Sequence, residues 1–480
     1  MRTFLTRAVP SLLIVGALAT GCATNPVTGE RQLSLISEAQ EIEMGRQAAA
    51  EAEQSIGLVD DRALQDYVQR IGASLARDSE RPNLPWTFRV VDDPTPNAFA
   101  LPGGFIFVTR GLMTLMRSEA ELAGVLGHEI GHVTAKHSVT MLSRAQIAQL
   151  GLGIGSILSP TIARFGDLAG AGMQLLFLKY GRDAERQADD LGFKYALADN
   201  YDVRQIPNVF ATLARVGEAS GQSPLPTWMA SHPYPEERIQ RMEQAIAQLQ
   251  RPLNNTNVGV DPYMARINGL VYGENPRAGF FQNSLFLHPD LRFRWQLPQG
   301  WKTQNMTQAV MGGSPQEDAL MQLTIAQGNP ETAANQFFNQ QGLTPAQVQR
   351  TSINGMNAVT GYFQAATEQG TLQGFAAFIT HDNNTYQILG YAPAQRFSAY
   401  ENVFRQSIGS FTRLTDPQAL NVQPVRIATV RTTQAMTLAE FNQRYPSTGI
   451  DLNELALINE LPDANARIPV GTWMKRVVRS

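Results

Sequence analysis

Apolar residues recur at three- and four-residue spacing over 37–56 and again over 60–76, which predicts two amphipathic helices, the second opened by an aspartate cap. The pattern then alternates over 86–91 like a strand, and 105–109 is a short apolar run behind the Pro102-Gly103-Gly104 turn. A helical period returns from Ser118 to Val133, where Ser118 with Glu121 reads as a capping box. Another helix is predicted beyond Gly181, with Ala184, Ala188, Leu191 and Tyr195 on one side. A closing helix over 240–250 leads into a linker at 252–260. Strands are expected near 291–297, 319–325, 358–365, 375–380 and 385–391, with helices near 333–339 and 398–410. That order reads as a small α+β domain over 261–415, an antiparallel sheet backed by helices.

Between the two central helices, 141–180 is apolar and glycine-rich. Two membrane-crossing helices are one reading. Pro160, Arg164 and Asp167 interrupt the pattern so that no clean span of about 18 apolar residues survives, which favours a lid or membrane-facing hairpin. The first 22 residues have another plan: a basic start, an apolar stretch over 12–18, and Ala19-Thr20-Gly21-Cys22. This is the layout of a signal peptide ending at a lipidation cysteine, although Ala19 stands where leucine is commonest. Alanine at 23, rather than aspartate, favours an outer-membrane address, and acyl chains on Cys22 would anchor the chain.

The chain has 480 residues, 43% of them hydrophobic and 17% charged, enough for several domains with real cores. Its net charge of −3 comes with no basic block, so nothing supports nucleic-acid binding. One cysteine, Cys22, excludes an intramolecular disulfide.

The candidate chemistry lies in His128-Glu129-Ile130-Gly131-His132. On a helix, residues four apart fall on one face, about 40° from each other, so both imidazoles can reach one ion. Zinc suits two nitrogen ligands and keeps an open position when catalytic. Glu129 can then act as general base toward an attacking water. His137 is a poor third ligand, because a continuing helix turns it roughly 140° from His132; it reads as a solvated or supporting histidine. Glu185 and Asp189, one turn apart on the later helix, can supply a carboxylate ligand and a second carboxylate that holds a ligand histidine by its N–H. Taken alone, that helix is equally an exposed acidic face, since Arg182, Arg186 and Asp190 are close by.

Together, N-A-F-A-L-P-G-G at 97–104, H-E-I-G-H at 128–132, E-R-Q-A-D at 185–189 and S-H-P-Y-P-E-E-R-I at 231–239 resemble the M48 metallopeptidases, a gluzincin family. The resemblance covers roughly 25–250, including N-P-V-T-G-E-R-Q at 25–32, which looks like the lead-in of periplasmic, lipoprotein-type members. It implies His128, His132 and Glu185 as the ligands of one zinc ion, Glu129 as catalytic base, and Asp189 behind the ligands. It also sets His232 near the metal, where it could donate to an oxyanion or occupy the open coordination position in a latent state. Arg238 could anchor that loop through a carboxylate or bind a substrate carbonyl; a structural salt bridge is as good a reading. His288 and His381 have no metal spacing. The segment 425–478 resembles a LysM module of β-α-α-β order, with Ala435-Met436-Thr437 replacing the usual Gly-Asp-Thr.

The expected organisation is therefore α+β throughout: a signal segment at 1–22, a mainly helical zincin domain with a small sheet at 23–251, an accessory domain at 261–415 and a LysM-like domain at 425–478. The expected function is a membrane-tethered zinc endopeptidase of the periplasm-facing envelope, acting on misfolded or stalled envelope proteins. A chaperone or scaffold of the same fold, or a peptidoglycan-directed zinc hydrolase, are the alternatives.

Overall fold

The computed structural model describes residues 22–152, 179–219, 232, 235–367 and 370–479. The signal segment before Cys22 and most of the expected lid or hairpin lie outside the described residues. The chain divides into two compact units, one from 1–53, 57–273 and 426–478, the other from 54–56, 274–425 and 479–480. No described helix is long and apolar enough to cross a membrane.

The first unit begins with an antiparallel hairpin of β1 (Cys22–Thr24) and β2 (Arg31–Leu33). Helices α1 (Glu38–Ile56) and α2 (Arg62–Arg77) follow, the first opened by a capping box at Ser37 and the second by the Asp61 side chain. Strands β3 (Thr87–Val91), β4 (Ala98–Leu101) and β5 (Phe105–Thr109) form a sheet in the order β3-β5-β4. Here β3 runs parallel to β5 and β4 antiparallel to it, which leaves β4 at an edge. The helices α3 (Arg110–Leu115), α4 (Glu119–Thr134), α5 (His137–Leu152), α6 (Arg182–Ala198), α7 (Ile206–Ala219), α8 (Pro235–Ala247) and α9 (Val260–Ile267) complete the main run.

Helix α4 lies at the centre of this unit, and every one of its residues is buried. An amphipathic pattern would leave one face in water; here the polar face is buried as well, so each of its polar groups needs a partner. At the start, Ser118 Oγ accepts from Glu121 N at 3.2 Å. The expected reciprocal bond is shifted by one residue, because the Glu121 carboxylate accepts from the Arg117 amide. The Glu119 and Ala120 amides are satisfied by the carbonyls of Gly259 (3.3 Å) and Val258 (3.1 Å). At the far end, the buried Arg81 donates to Val133 O at 3.0 Å and to both oxygens of buried Glu41 at 2.7 and 3.0 Å. Glu41 also accepts from the Gly103 amide at 3.3 Å, which joins α1, the Pro-Gly-Gly turn and the end of α4.

The crossing of α4 and α6 is built on residues that have almost no side chain. A Cβ added to Gly192 would stand 2.7 Å from His128 N, and one added to Gly127 would stand 3.0 Å from Gly192 Cα. A Cβ on Gly131 would come 3.0 Å from Ala188 Cα. Backbone therefore packs on backbone, and the first turn of α6 is carried toward the imidazole ends of the buried α4 histidines.

In the second unit, β6 (Phe280–Gln282), β7 (Leu285–His288) and β8 (Phe293–Gln296) pair in succession. Strands β9 (Lys302–Asn305), β10 (Ala309–Gly313), β11 (Leu320–Ala326), β12 (Leu343–Ile353), β13 (Met356–Thr367), β14 (Gly370–His381) and β15 (Asn384–Pro393) form a seven-stranded antiparallel sheet in the order β12-β13-β14-β15-β11-β10-β9. Phe378 packs with Phe337 and Phe338 of helix Pro330–Phe338 on one face, while Phe375, Ala377 and Ile379 pack with Phe397 and Phe404 of helix Ala394–Gly409 on the other. The histidines of this unit are structural: His288 Nδ1 accepts from Leu291 N at 3.2 Å, and His381 Nε2 meets Arg292 O at 2.9 Å. Back in the first unit, Val425–Arg431, the helices Leu438–Arg444 and Leu452–Ile458, and Trp473–Arg479 follow in β-α-α-β order, the two long strands paired with each other.

Because Gly192 touches the backbone of the histidine-bearing helix, Gly192→Ala is expected to cost about 1–3 kcal/mol in urea denaturation by overpacking. The substitution Gly409→Ala, with open space around the new methyl, should be neutral or slightly stabilising.

Candidate metal centre

The α4 period and the α4–α6 contact bring four buried side chains, His128, His132, Glu185 and His232, to one point. The Nε2 atoms of His128 and His132 are 3.0 Å apart. Glu185 spans them from α6, with Oε2 3.6 Å from His128 Nε2 and Oε1 3.5 Å from His132 Nε2. Zinc–nitrogen bonds of about 2.0–2.1 Å around a tetrahedral ion set its donors about 3.3–3.4 Å apart. These three donors therefore lie within a few tenths of an ångström of the spacing zinc needs. His232, just ahead of α8, adds its Nδ1 at 3.2 Å from His128 Nε2 and 3.0 Å from Glu185 Oε1. That makes a fourth donor in the same cluster.

The surroundings set the tautomers of the two α4 imidazoles. His128 Nδ1 lies 2.9 Å from Asp189 Oδ1, which leaves Nε2 as the acceptor facing the centre. Arg238 grips the same carboxylate, with Nε 2.9 Å from Oδ2 and Nη2 2.6 Å from Oδ1, and its guanidinium lies 4.2 Å over the Phe210 ring. Burial alone would raise the Asp189 pKa; the Arg238 charge and the His128 contact outweigh it and hold Asp189 well below the usual carboxylate range. On the other side, His132 Nδ1 meets His137 Nδ1 at 2.9 Å, and His137 Nε2 meets Gln187 Oε1 at 2.9 Å. Read as donors in that order, His132 and His137 leave His132 Nε2 free for a metal. Burial and the neighbouring histidines also keep the His132 ring from protonating.

Glu129 points into the same space. Both of its oxygens are buried and have no hydrogen-bond partner among the described residues. Burial raises its pKa, and the nearest cation is His232, with Nε2 3.6 Å from Glu129 Oε1. A buried carboxylate whose oxygens make no hydrogen bond is costly unless something else completes the site. Water and a metal ion would do so.

The structure thus gathers Glu129, His128, His132, Glu185, His232, Asp189 and Arg238 around one centre. For Cys22 it describes only backbone, in β1. His137 differs from the expectation built on a continuous helix. Lys136 takes a left-handed φ of 58°, α4 ends, and the chain turns His137 back against His132. Tyr180 escaped the sequence reading. Its ring stacks on His132 with centroids 4.0 Å apart, and its hydroxyl lies 2.7 Å from Ser138 Oγ. A single tyrosine at the end of an apolar stretch has no period that could have marked it.

A helical HExxH segment, an acid from a second helix and a small sheet beside them define a metallopeptidase of the zincin class. Residues 62–246 match the model of peptidase family M48, and this stretch of the chain is an M48 peptidase domain. Among similar proteins, the mitochondrial metalloendopeptidase OMA1 of Schizosaccharomyces pombe is 30% identical over 240 residues, 47% of this chain and 66% of that protein. The beta-barrel assembly-enhancing protease of Escherichia coli (strain K12) is 26% identical over 234 residues, 47% of this chain and 48% of the other. Its namesake from Yersinia pestis is 28% identical over 247 residues, 48% and 50% of the two chains. The chain thus spans about half to two thirds of the length of these relatives. The M48 metallopeptidases use zinc, as the donor set here would require.

If Asp189 orients His128, Asp189→Asn should weaken zinc binding by about 10–100-fold in a chelator competition. Asp190→Asn, at an exposed carboxylate paired with Arg241, should leave zinc affinity unchanged.

Proposed function

We propose that this chain is a zinc-dependent endopeptidase tethered in the bacterial envelope and facing the periplasm, cutting extended stretches of misfolded or stalled envelope polypeptides. The observation that carries this reading is the convergence of His128, His132 and Glu185 beside a buried Glu129 carboxylate that makes no hydrogen bond among the described residues. His128, His132 and Glu185 would hold the zinc, with Asp189 and His137 fixing the imidazoles. Bound zinc supplies a Lewis acid that polarises a peptide carbonyl and makes water a stronger acid. Glu129 takes the proton as the water oxygen attacks the carbonyl carbon, and returns it to the amine nitrogen as the C–N bond breaks. Its raised pKa suits both halves of that transfer. Arg238 stays engaged with Asp189 and acts as a support for the site.

The edge position of β4 in its sheet supports an extended substrate, because an edge strand can pair with another strand through its main chain regardless of side chains. The relatives, a metalloendopeptidase and beta-barrel assembly-enhancing proteases by name, support peptide bonds of envelope proteins as the target. The tether rests on the basic, apolar and small-residue order before Cys22, with a lipid on that cysteine and the outer membrane as its address. The β-α-α-β order of 425–478 supports a LysM-like fold. A cavity of about 360 Å3 beside its first helix, lined by Gln434, Ala435, Met436, Glu440, Gln443 and Arg444, could touch peptidoglycan. Retention on purified sacculi tests that contact, and its absence removes the motive for a peptidoglycan hydrolase.

His232 has a specific observation in favour of a latent role. Its Nδ1 joins the donor cluster while its Nε2 faces Glu129, so one ring occupies both the fourth position and the space in front of the base. We read this as a closed resting state.

In casein cleavage, Glu129→Gln should lower kcat by about 10²–10⁴-fold while zinc is retained. Full rescue of an envelope defect by that variant would instead favour a scaffold. His232→Ala should cleave faster than wild type; slower cleavage by a folded, zinc-loaded variant would make His232 a transition-state donor.

A further inference from the structure

The site depends on where α4 starts, and the residues that fix this start come from the far end of the chain. Lys475, fully buried, points its ammonium at the carbonyls of Thr114, Leu115 and Met116 at 2.8, 2.9 and 2.9 Å. An ammonium has three N–H donors, and all three are used. These carbonyls close α3, where the helix leaves its last oxygens without partners and where positive charge is favoured. The next residue repeats the arrangement in reverse. Arg117 donates to Asn459 O at 3.0 Å and to Trp473 O at 2.8 Å. Asn459, itself fully buried, binds the Lys475 amide through Oδ1 at 2.7 Å and donates to Lys475 O at 2.8 Å. Trp473 Nε1 donates to Asp261 Oδ1 at 2.7 Å, and Tyr263 on the same helix, α9, donates to Met113 O at 2.7 Å. The turn at 114–117, immediately before the Ser118 cap, is therefore held from both sides by polar groups, of which Lys475 and Asn459 are fully buried and have no solvent to replace their bonds.

We propose that Lys475, with Asn459 and Arg117, is a positioning clamp for the metal-bearing helix, so that the C-terminal β-α-α-β segment is a working part of the hydrolytic unit and not a detachable binding arm. The lever is short. His128 lies ten residues beyond Ser118, about 15 Å along a rigid helix. A tilt at the start moves both imidazoles relative to Glu185, which belongs to a different helix. Glu121 shares this buried ground. Its carboxyl is pushed up to about 8 by burial and by the Glu460 charge, with Lys475 and Arg117 pulling the other way. The clamp thus sits in a region where each charge needs its neighbour.

The inference rests on the reading of the α4 histidines as zinc ligands, and the test separates the two. In the full chain, Lys475→Met is compared with wild type by native-state hydrogen exchange, by zinc affinity in chelator competition and by steady-state cleavage. Exchange over 119–134 should quicken by about tenfold or more while the sheet strands Met356–Thr367 and Asn384–Pro393 stay unchanged. Zinc affinity should fall by about tenfold, within the range for lost supporting contacts, and kcat should fall with KM held within about twofold. If Lys475→Met does not fold, Arg117→Gln, which keeps the lysine and its three carbonyls, takes its place with the same expectations. A folded variant with wild-type exchange over 119–134 and wild-type zinc affinity overturns the clamp, even if its melting temperature is lower. A wild-type chain that binds no zinc would defeat the site reading and still leave the exchange comparison to decide the clamp.

Discussion

The metal centre depends first on a contact between two stretches of main chain. Helices α4 and α6 touch through Gly127, Gly131, Gly192 and Ala188, and at Gly192 even a methyl group would collide with the His128 amide. Two imidazoles one turn apart can form half a coordination sphere anywhere on a helix. The third donor has to arrive from elsewhere at a separation of a few ångströms, which a carboxylate reaching across a normal helix spacing of about 8–10 Å does only when the axes approach closely. Glycine at the crossing supplies that approach, and Glu185 then spans the two Nε2 atoms.

The polar groups at the centre of this crossing are buried, and the packing answers with continuous chains of partners. One runs from His128 through Asp189 to Arg238, which lies over Phe210. Another runs from His132 through His137 to Gln187. Glu129 is the exception, a buried carboxylate with no hydrogen bond among the described residues. Such an exception is expected at the one group whose partner is a reactant, because a saturated carboxylate could not accept a proton from water.

Much of the core geometry was legible because it follows from short-range periodicity. His128 and His132 share a face by spacing alone, and Glu185 and Asp189 do the same on their helix. The long strands of the second unit alternate or run apolar for long enough to be seen, as β14 and β15 show. Other features depend on contacts distant in sequence. A left-handed Lys136 ends α4 and turns His137 back, but lysine carries no turn signal of its own. Strand Leu343–Ile353 is almost wholly exposed, so no alternation of apolar residues marks it. Tyr180 and Lys475 lack any pattern, since one stacks on a histidine 48 positions away and the other finds carbonyls more than 350 positions away. Helix α4 was read as amphipathic because its polar residues are periodic; they are periodic and buried, and only the partners supplied by Gly259, Arg81 and Asp189 make that tolerable.

The central claim is that a carboxylate from α6 completes the coordination begun by two α4 imidazoles. Zinc retention by Glu185→Ala, measured against wild type in the chain without its first 22 residues, tests this most directly. The account predicts that wild type keeps one equivalent of zinc through gel filtration at neutral pH and that Glu185→Ala, folded by circular dichroism, loses it. Wild-type zinc affinity in folded Glu185→Ala would contradict the account.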